Sequence, residues 1–129
     1  MKPTTLEWTD KADADFITAQ MSYRARKHPN YDASCFHAQQ CAEKYMKARL
    51  EEAGRVIPKT HNLYALLGLV LPLEPTWNVL RADLNVLNTF AVAYRYPGIS
   101  ASRVDAKDAI ARCRKVRRVV RQAFDLSGT

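Results

Sequence analysis

Leu80, Leu84, Leu87, Ala91 and Tyr94 recur at intervals of four, three, four and three residues, the apolar stripe of one amphipathic helix that must face a core. This helix is predicted over about Thr76 to Tyr94. Pro97 has no amide hydrogen and disfavours helical geometry at Tyr96, while Gly98 tolerates positive φ, so the helix stops near Arg95. A second stripe, Cys35, Ala38, Ala42, Tyr45, Met46 and Leu50, predicts a helix from Tyr31 or Asp32 to about Ala53, closed by Gly54. Leu63, Leu66, Leu67 and Val70 mark a short helix that Thr60 is placed to cap, broken by Pro72 and Pro75.

The two ends of the chain complete the set. A first helix is predicted from about Thr9 to Arg26, with Thr9 as N-cap, Asp10 and Asp13 in the first turn and Arg24, Arg26 and Lys27 at the end, both charge signs suiting the dipole. Ser102 with Asp105 forms an acidic variant of the capping box and opens a last helix that ends near Leu126. Its buried stripe is Ala106, Ile110, Cys113, Val116 or Arg117, Val120 and Phe124. Arg103, Lys107, Arg114, Arg118 and Arg121 lie largely off that stripe. No segment alternates as a strand. The expected fold is all-α, an antiparallel up-and-down bundle of four long helices plus one short helix, in a single domain over residues 1–129.

Composition narrows the function classes. No apolar run reaches membrane-spanning length and the first residues lack a secretory signal, which predicts a soluble cytoplasmic protein with no membrane partner. Cys35, Cys41 and Cys113 form no C-x-x-C pair and fall inside helical patterns, as expected of reduced, mostly buried thiols. Three scattered histidines give no recognisable metal site, and no cofactor is implied.

The net charge of +7 is unevenly spread. Residues 1–54 carry eight basic and eight acidic side chains, whereas residues 55–129 carry twelve and five. Between Arg103 and Arg121 eight Lys or Arg residues face only Asp105 and Asp108. Such a helix face either tracks phosphates with salt-sensitive affinity, meets an acidic protein, or keeps the protein soluble. Arg95, at its helix end, either bonds the last free carbonyls or offers five donors to a phosphate or carboxylate.

Four segments in succession, Cys35 to Lys47 (Cys-Phe-His-Ala-Gln-Gln-Cys-Ala-Glu-Lys-Tyr-Met-Lys), Pro58 to Leu63 (Pro-Lys-Thr-His-Asn-Leu), Leu84 to Asn88 (Leu-Asn-Val-Leu-Asn) and Tyr94 to Pro97 (Tyr-Arg-Tyr-Pro), carry a resemblance over nearly the whole chain. The sequence resembles the HEPN domain, the nucleotide-binding family of higher eukaryotes and prokaryotes. The resemblance implies a helical bundle that pairs with itself as a homodimer and works beside a minimal nucleotidyltransferase, as in toxin–antitoxin and related two-gene systems. Many members are metal-independent ribonucleases with an arginine, four to six intervening residues and a histidine, where arginine stabilises phosphate charge and histidine moves protons. Here Arg95 is followed by Tyr96, Pro97, Gly98, Ile99, Ser100, Ala101 and Ser102, and no histidine follows anywhere.

The resemblance with this departure implies a non-catalytic module that binds a nucleotide, RNA or a partner nucleotidyltransferase. Its binding residues would be Tyr94, Arg95, Tyr96, Gln40, Glu43, Lys44, Lys47, Arg114 and Arg118. The alternatives are a metal-independent ribonuclease in which His37 or His61 replaces the missing base and acts with Arg95, or a purely structural dimer. Glu43 and Lys47 sit at the favourable four-residue spacing, which reads either as a solvated ion pair or, with Gln40 and Lys44, as the lining of a groove between helices.

Overall fold

The computed structural model describes residues 1–93 and 96–126, so Tyr94 and Arg95 lie outside the described residues. The described chain is a helical bundle: α1 (Pro3–Arg24), α2 (Tyr31–Glu52), α3 (Leu63–Val70), a 3₁₀ segment (Pro75–Leu80), α4 (Arg81–Ala93) and α5 (Arg103–Ala123). α2 runs through its centre and packs against α1, α3, α4 and α5. The predicted stripe of α2 is buried in full, from Cys35 to Leu50, as is that of α3.

The helix ends correct several expectations. α1 begins at Pro3, six residues before Thr9, because Pro suits a first helical turn and the chain start is anchored at the far end of α2. The Lys2 backbone N–H donates to Glu52 Oε1 at 3.0 Å, Thr5 Oγ1 donates to the same oxygen at 3.0 Å, and Lys2 Nζ reaches Glu51 O at 3.1 Å. The backbone hydrogen bond first, then that from Thr5, hold the Glu52 carboxyl below its ordinary range. Thr9 is therefore buried inside the helix, its hydroxyl donating back to Leu6 O, and caps nothing.

α2 is capped by Asn30, whose side chain accepts from Ala33 N at 2.9 Å, and ends in a Schellman turn at Gly54, φ 69°. There Gly54 N donates to Glu51 O and Arg55 N to Leu50 O, satisfying carbonyls the helix would otherwise leave open. Asn62, not Thr60, caps α3, accepting from Tyr64 N and Ala65 N. The expected helix over Thr76 to Tyr94 is divided: Pro75–Leu80 is 3₁₀, and α-helix begins only at Arg81. Leu80, Leu84 and Leu87 are buried as expected, and Phe90 joins them.

The capping box of α5 is complete, with Asp105 N donating to Ser102 Oγ at 3.1 Å and Ser102 N donating to Asp105 Oδ2 at 2.9 Å. Just before it, Ala101 N donates to Asp32 Oδ1 at 2.6 Å, tying the loop ahead of α5 to the start of α2. Asp13 on α1 joins three helices: it accepts from the Tyr45 hydroxyl of α2, from Arg117 Nε at 3.1 Å and from an Arg121 guanidinium nitrogen at 2.8 Å. Arg121 is thus committed to the bundle, contrary to its expected place on the outward basic face. No described helix is long and apolar enough to cross a membrane.

Candidate functional site

Gln39, Glu43 and Lys47 follow one another at four-residue intervals on α2, and the fold turns this polar row inward. Glu43 is 3% and Lys47 6% exposed, so of the two readings of this pair the solvated one does not hold: Lys47 Nζ lies 3.1 Å from Glu43 Oε2 in a buried ion pair. The other Glu43 oxygen lies 2.9 Å from His61 Nδ1. Gln39 Nε2 donates to His61 O at 3.0 Å and Gln40 Nε2 donates to Gln39 Oε1 at 2.8 Å, while the Lys47 ammonium sits 5.9 Å from the Trp8 ring centroid. The row locks the segment before α3 onto α2. Its buried ions are matched to one another, as burial of charge requires.

A parallel cluster stands between α1 and α2. Asp15, 8% exposed, receives His37 Nδ1 on one oxygen at 2.8 Å and Lys44 Nζ on the other at 2.5 Å. His37 and His61, candidates for one relocated base, therefore belong to two clusters, each tied by Nδ1 to its own carboxylate. The α2 candidates Glu43, Lys44 and Lys47 are occupied by internal partners. Among the described residues no group of three or more His, Cys, Asp or Glu side chains is placed to hold a metal ion. Tyr96 is 64% exposed.

On α5 the cations sort into two sets. Arg112 and Lys115 pair with the buried Asp83 of α4 at 3.3 and 2.9 Å; the Lys115 contact is an ion pair by proximity, because no hydrogen bond of good angle reaches Asp83 Oδ2. Arg112 also meets Asp108, and Arg117 and Arg121 meet Asp13. The outward set, Arg103, Lys107, Arg114 and Arg118, is exposed and has no carboxylate partner among the described residues. With Ala111 these positions repeat every three or four residues, one straight stripe along the helix. Arg114 lies over the Phe16 ring at 5.7 Å, which orients its guanidinium without neutralising it.

Sequence reasoning missed what flanks this stripe. The last turn of α1 brings Tyr23 and Arg24 beside Lys107, Ile110, Ala111 and Arg114, enclosing with Gln20 a cleft of about 210 Å³. Tyr23 packs against Tyr31 with ring centroids 6.0 Å apart, and Arg103 stacks 5.7 Å from the Tyr23 centroid while its Nε donates to the phenol oxygen at 3.4 Å. That hydrogen bond, followed by the nearby phenols, raises the Arg103 pKa further. No aromatic interleaves with the basic residues in the α5 sequence. The aromatic component comes from α1 and the start of α2, brought in by packing.

A helical bundle with this element order, built around a central α2, defines a class, and a family model for the HEPN domain matches residues 5–123. The chain belongs to the HEPN domain family. Among solved structures it is similar to TT1696 from Thermus thermophilus, with a TM-score of 0.81 and 26% identity over 94% of this chain and 98% of that one. Comparison with curated proteins gave no match.

Proposed function

We propose that this HEPN domain is a non-catalytic binding module for phosphate-bearing ligands, nucleotide or RNA, received on the outward stripe of α5. The observation that carries this reading is the sorting of α5 cations: Arg112, Lys115, Arg117 and Arg121 are matched to internal carboxylates, while Arg103, Lys107, Arg114 and Arg118 face solvent unmatched. A helix that only needed solubility has no reason to concentrate one sign on one line, whereas a line of cations follows a phosphate backbone. The non-catalytic part of the reading rests on the absence of any histidine after Arg95. Fluorescence anisotropy with labelled RNA at low and moderate salt tests the reading. Binding that weakens steeply with salt and is lost in Lys107→Glu/Arg118→Glu supports it; no binding at either salt overturns it.

Self-association is a second part of the reading, favoured by α3. Its exposed residues Tyr64, Ala65, Gly68 and Leu69 are all apolar, and Pro72 continues the face. A homodimer seated there would lose mass to monomer in Leu69→Glu, measured by light scattering on a sizing column. A minimal nucleotidyltransferase with an acidic face would meet the same α5 stripe, and pull-down with wild type against the double charge reversal reads that partner directly.

A further inference from the structure

The cleft between the end of α1 and α5 differs from the rest of the basic stripe in having walls and a floor. Ile110 and Ala111 form an apolar floor and Tyr23 an aromatic wall, held in place by Tyr31 on one side and Arg103 on another. Arg24, Lys107 and Arg114 stand at its rim, and Gln20 adds an amide that can both donate and accept. Its volume of about 210 Å³ falls below the roughly 300–1,000 Å³ of sites that enclose a whole drug-sized ligand. That volume matches one planar ring system, with its sugar and phosphate left outside the cleft.

Resting on the reading of α5 as a phosphate-binding face, we propose that this cleft receives a single unpaired nucleobase, so that the module's ligand is single-stranded RNA. The base enters between Tyr23 and the Ile110–Ala111 floor, with Gln20 meeting its polar edge. The flanking phosphates lie on Arg24, Lys107 and Arg114, and the strand continues along the stripe to Arg118. From Arg103 to Arg118 the stripe runs fifteen residue steps, or about 22 Å at the helical rise of 1.5 Å per residue. That length follows several nucleotides of an extended strand. A duplex keeps its bases stacked inside and can offer only its phosphates to the stripe. Sequence preference is weak, because apolar and aromatic surfaces accept the face of any base.

The test compares a labelled single-stranded RNA, the duplex of the same sequence and AMP, each by anisotropy or competition against the intact protein. The single strand is expected to bind about tenfold more tightly than the duplex, the size of one base–aromatic contact. It should also outcompete AMP, which lacks the stripe contacts. Ala111→Phe fills the cleft from an exposed position without altering charge, and it lowers single-strand affinity to the level of the duplex. Gln20→Ala, which adds no bulk, reduces single-strand affinity a few-fold and leaves duplex affinity unchanged. Equal binding of strand and duplex by the wild type, or a preference that survives both variants, overturns the cleft proposal while the phosphate-binding reading stands. AMP binding as tight as the strand and insensitive to Arg118→Glu also overturns it. Absence of all binding at low salt sinks the underlying reading instead.

Discussion

His61 Nδ1 lies 2.9 Å from Oε1 of Glu43, and this contact joins an exposed ring, 66% accessible at its side chain, to a carboxylate that is almost fully enclosed. Glu43 holds Lys47 with its second oxygen, so one buried acid holds two partners from different segments. Asp15 repeats the arrangement with His37 and Lys44 one face away. Histidine, carboxylate and lysine twice over bind α1, α2 and the segment before α3 into one frame.

The frame has an asymmetric energetic signature. Glu43→Ala leaves the Lys47 ammonium buried without a counter-charge, and removing one member of a buried pair costs about 3–5 kcal/mol. The double change Glu43→Gln/Lys47→Met removes both charges, keeps a carbonyl acceptor for the His61 ring, and should recover most of that loss. Urea unfolding midpoints of the three proteins decide it. Equal destabilisation in the single and double variants would show that packing, not charge, sets the cost.

The predictable parts of this architecture are those that follow from local rules. The stripes of α2 and α3 emerge from helical periodicity alone, and the Ser102–Asp105 box from a three-residue spacing, because both depend on residues within one element. The start of α1 was hidden since Thr9 is a better cap by type than Lys2; what overrides it is Glu52, remote in sequence, receiving the chain start. The division of the fourth helix at Arg81 is likewise concealed within a continuous apolar stripe. The cleft is the clearest omission. Tyr23 and Lys107 are separated by most of the chain, and only the packing of α1 against α5 makes them neighbours.

Ser102 offers a local test of the α5 entry. Its hydroxyl oxygen accepts from Asp105 N, and Asp105 returns the bond to Ser102 N. Ser102→Ala removes the first and should cost about 1 kcal/mol, within the range for N-cap replacements. Ser102→Gly, which loses the same oxygen but suits the capping backbone, should cost clearly less than alanine. Thermal unfolding of both variants measures the difference. If Ser102→Ala is neutral, the Asp32 anchor at Ala101 is sufficient to start the helix.

Phosphate contacts on the stripe carry a quantitative signature. Each cation that neutralises one phosphate contributes about 0.7 to the slope of log affinity against log salt for single strands. Lys107→Ala and Arg118→Ala should therefore each lower that slope by roughly this amount, and the pair together by about twice it. Arg112→Ala, whose charge is spent on Asp83 and Asp108, should leave the slope unchanged although it perturbs folding stability. An equal loss of slope in Arg112→Ala would mean that the sorting of cations seen in the fold does not govern binding.

Catalysis is a separate matter from binding. The non-catalytic reading expects RNA incubated with the protein, without added metal, to remain intact under conditions where binding is saturated. Arg95→Ala, His37→Ala and His61→Ala would then change no cleavage rate, because there is none. Cleavage by wild type that disappears in Arg95→Ala and in one histidine variant would replace the module with a ribonuclease whose base is that histidine.

Two buried thiols, Cys35 and Cys41, make stability fall in alkali. Burial, then the negative charges of Asp105, Asp32 and Asp108, push the Cys35 thiol from an ordinary 9.0 up to about 12, and burial likewise raises Cys41, which packs against Cys113. Burial and the Asp13 hydrogen bond raise the Tyr45 phenol as well. Each of these groups is neutral in the folded protein at a pH where the unfolded chain has already lost the proton. The unfolded state therefore binds fewer protons above about pH 9, and stability falls with rising pH until the folded-state values are passed. Below pH 9 both states are protonated and these groups contribute no slope. Melting temperature should thus be flat in this respect near pH 8 and decline through pH 9 to 12, with Cys35→Ala showing a shallower decline than wild type. An identical alkaline decline in Cys35→Ala would assign the loss to the other buried acids, Cys41 and Tyr45, and remove Cys35 from the explanation.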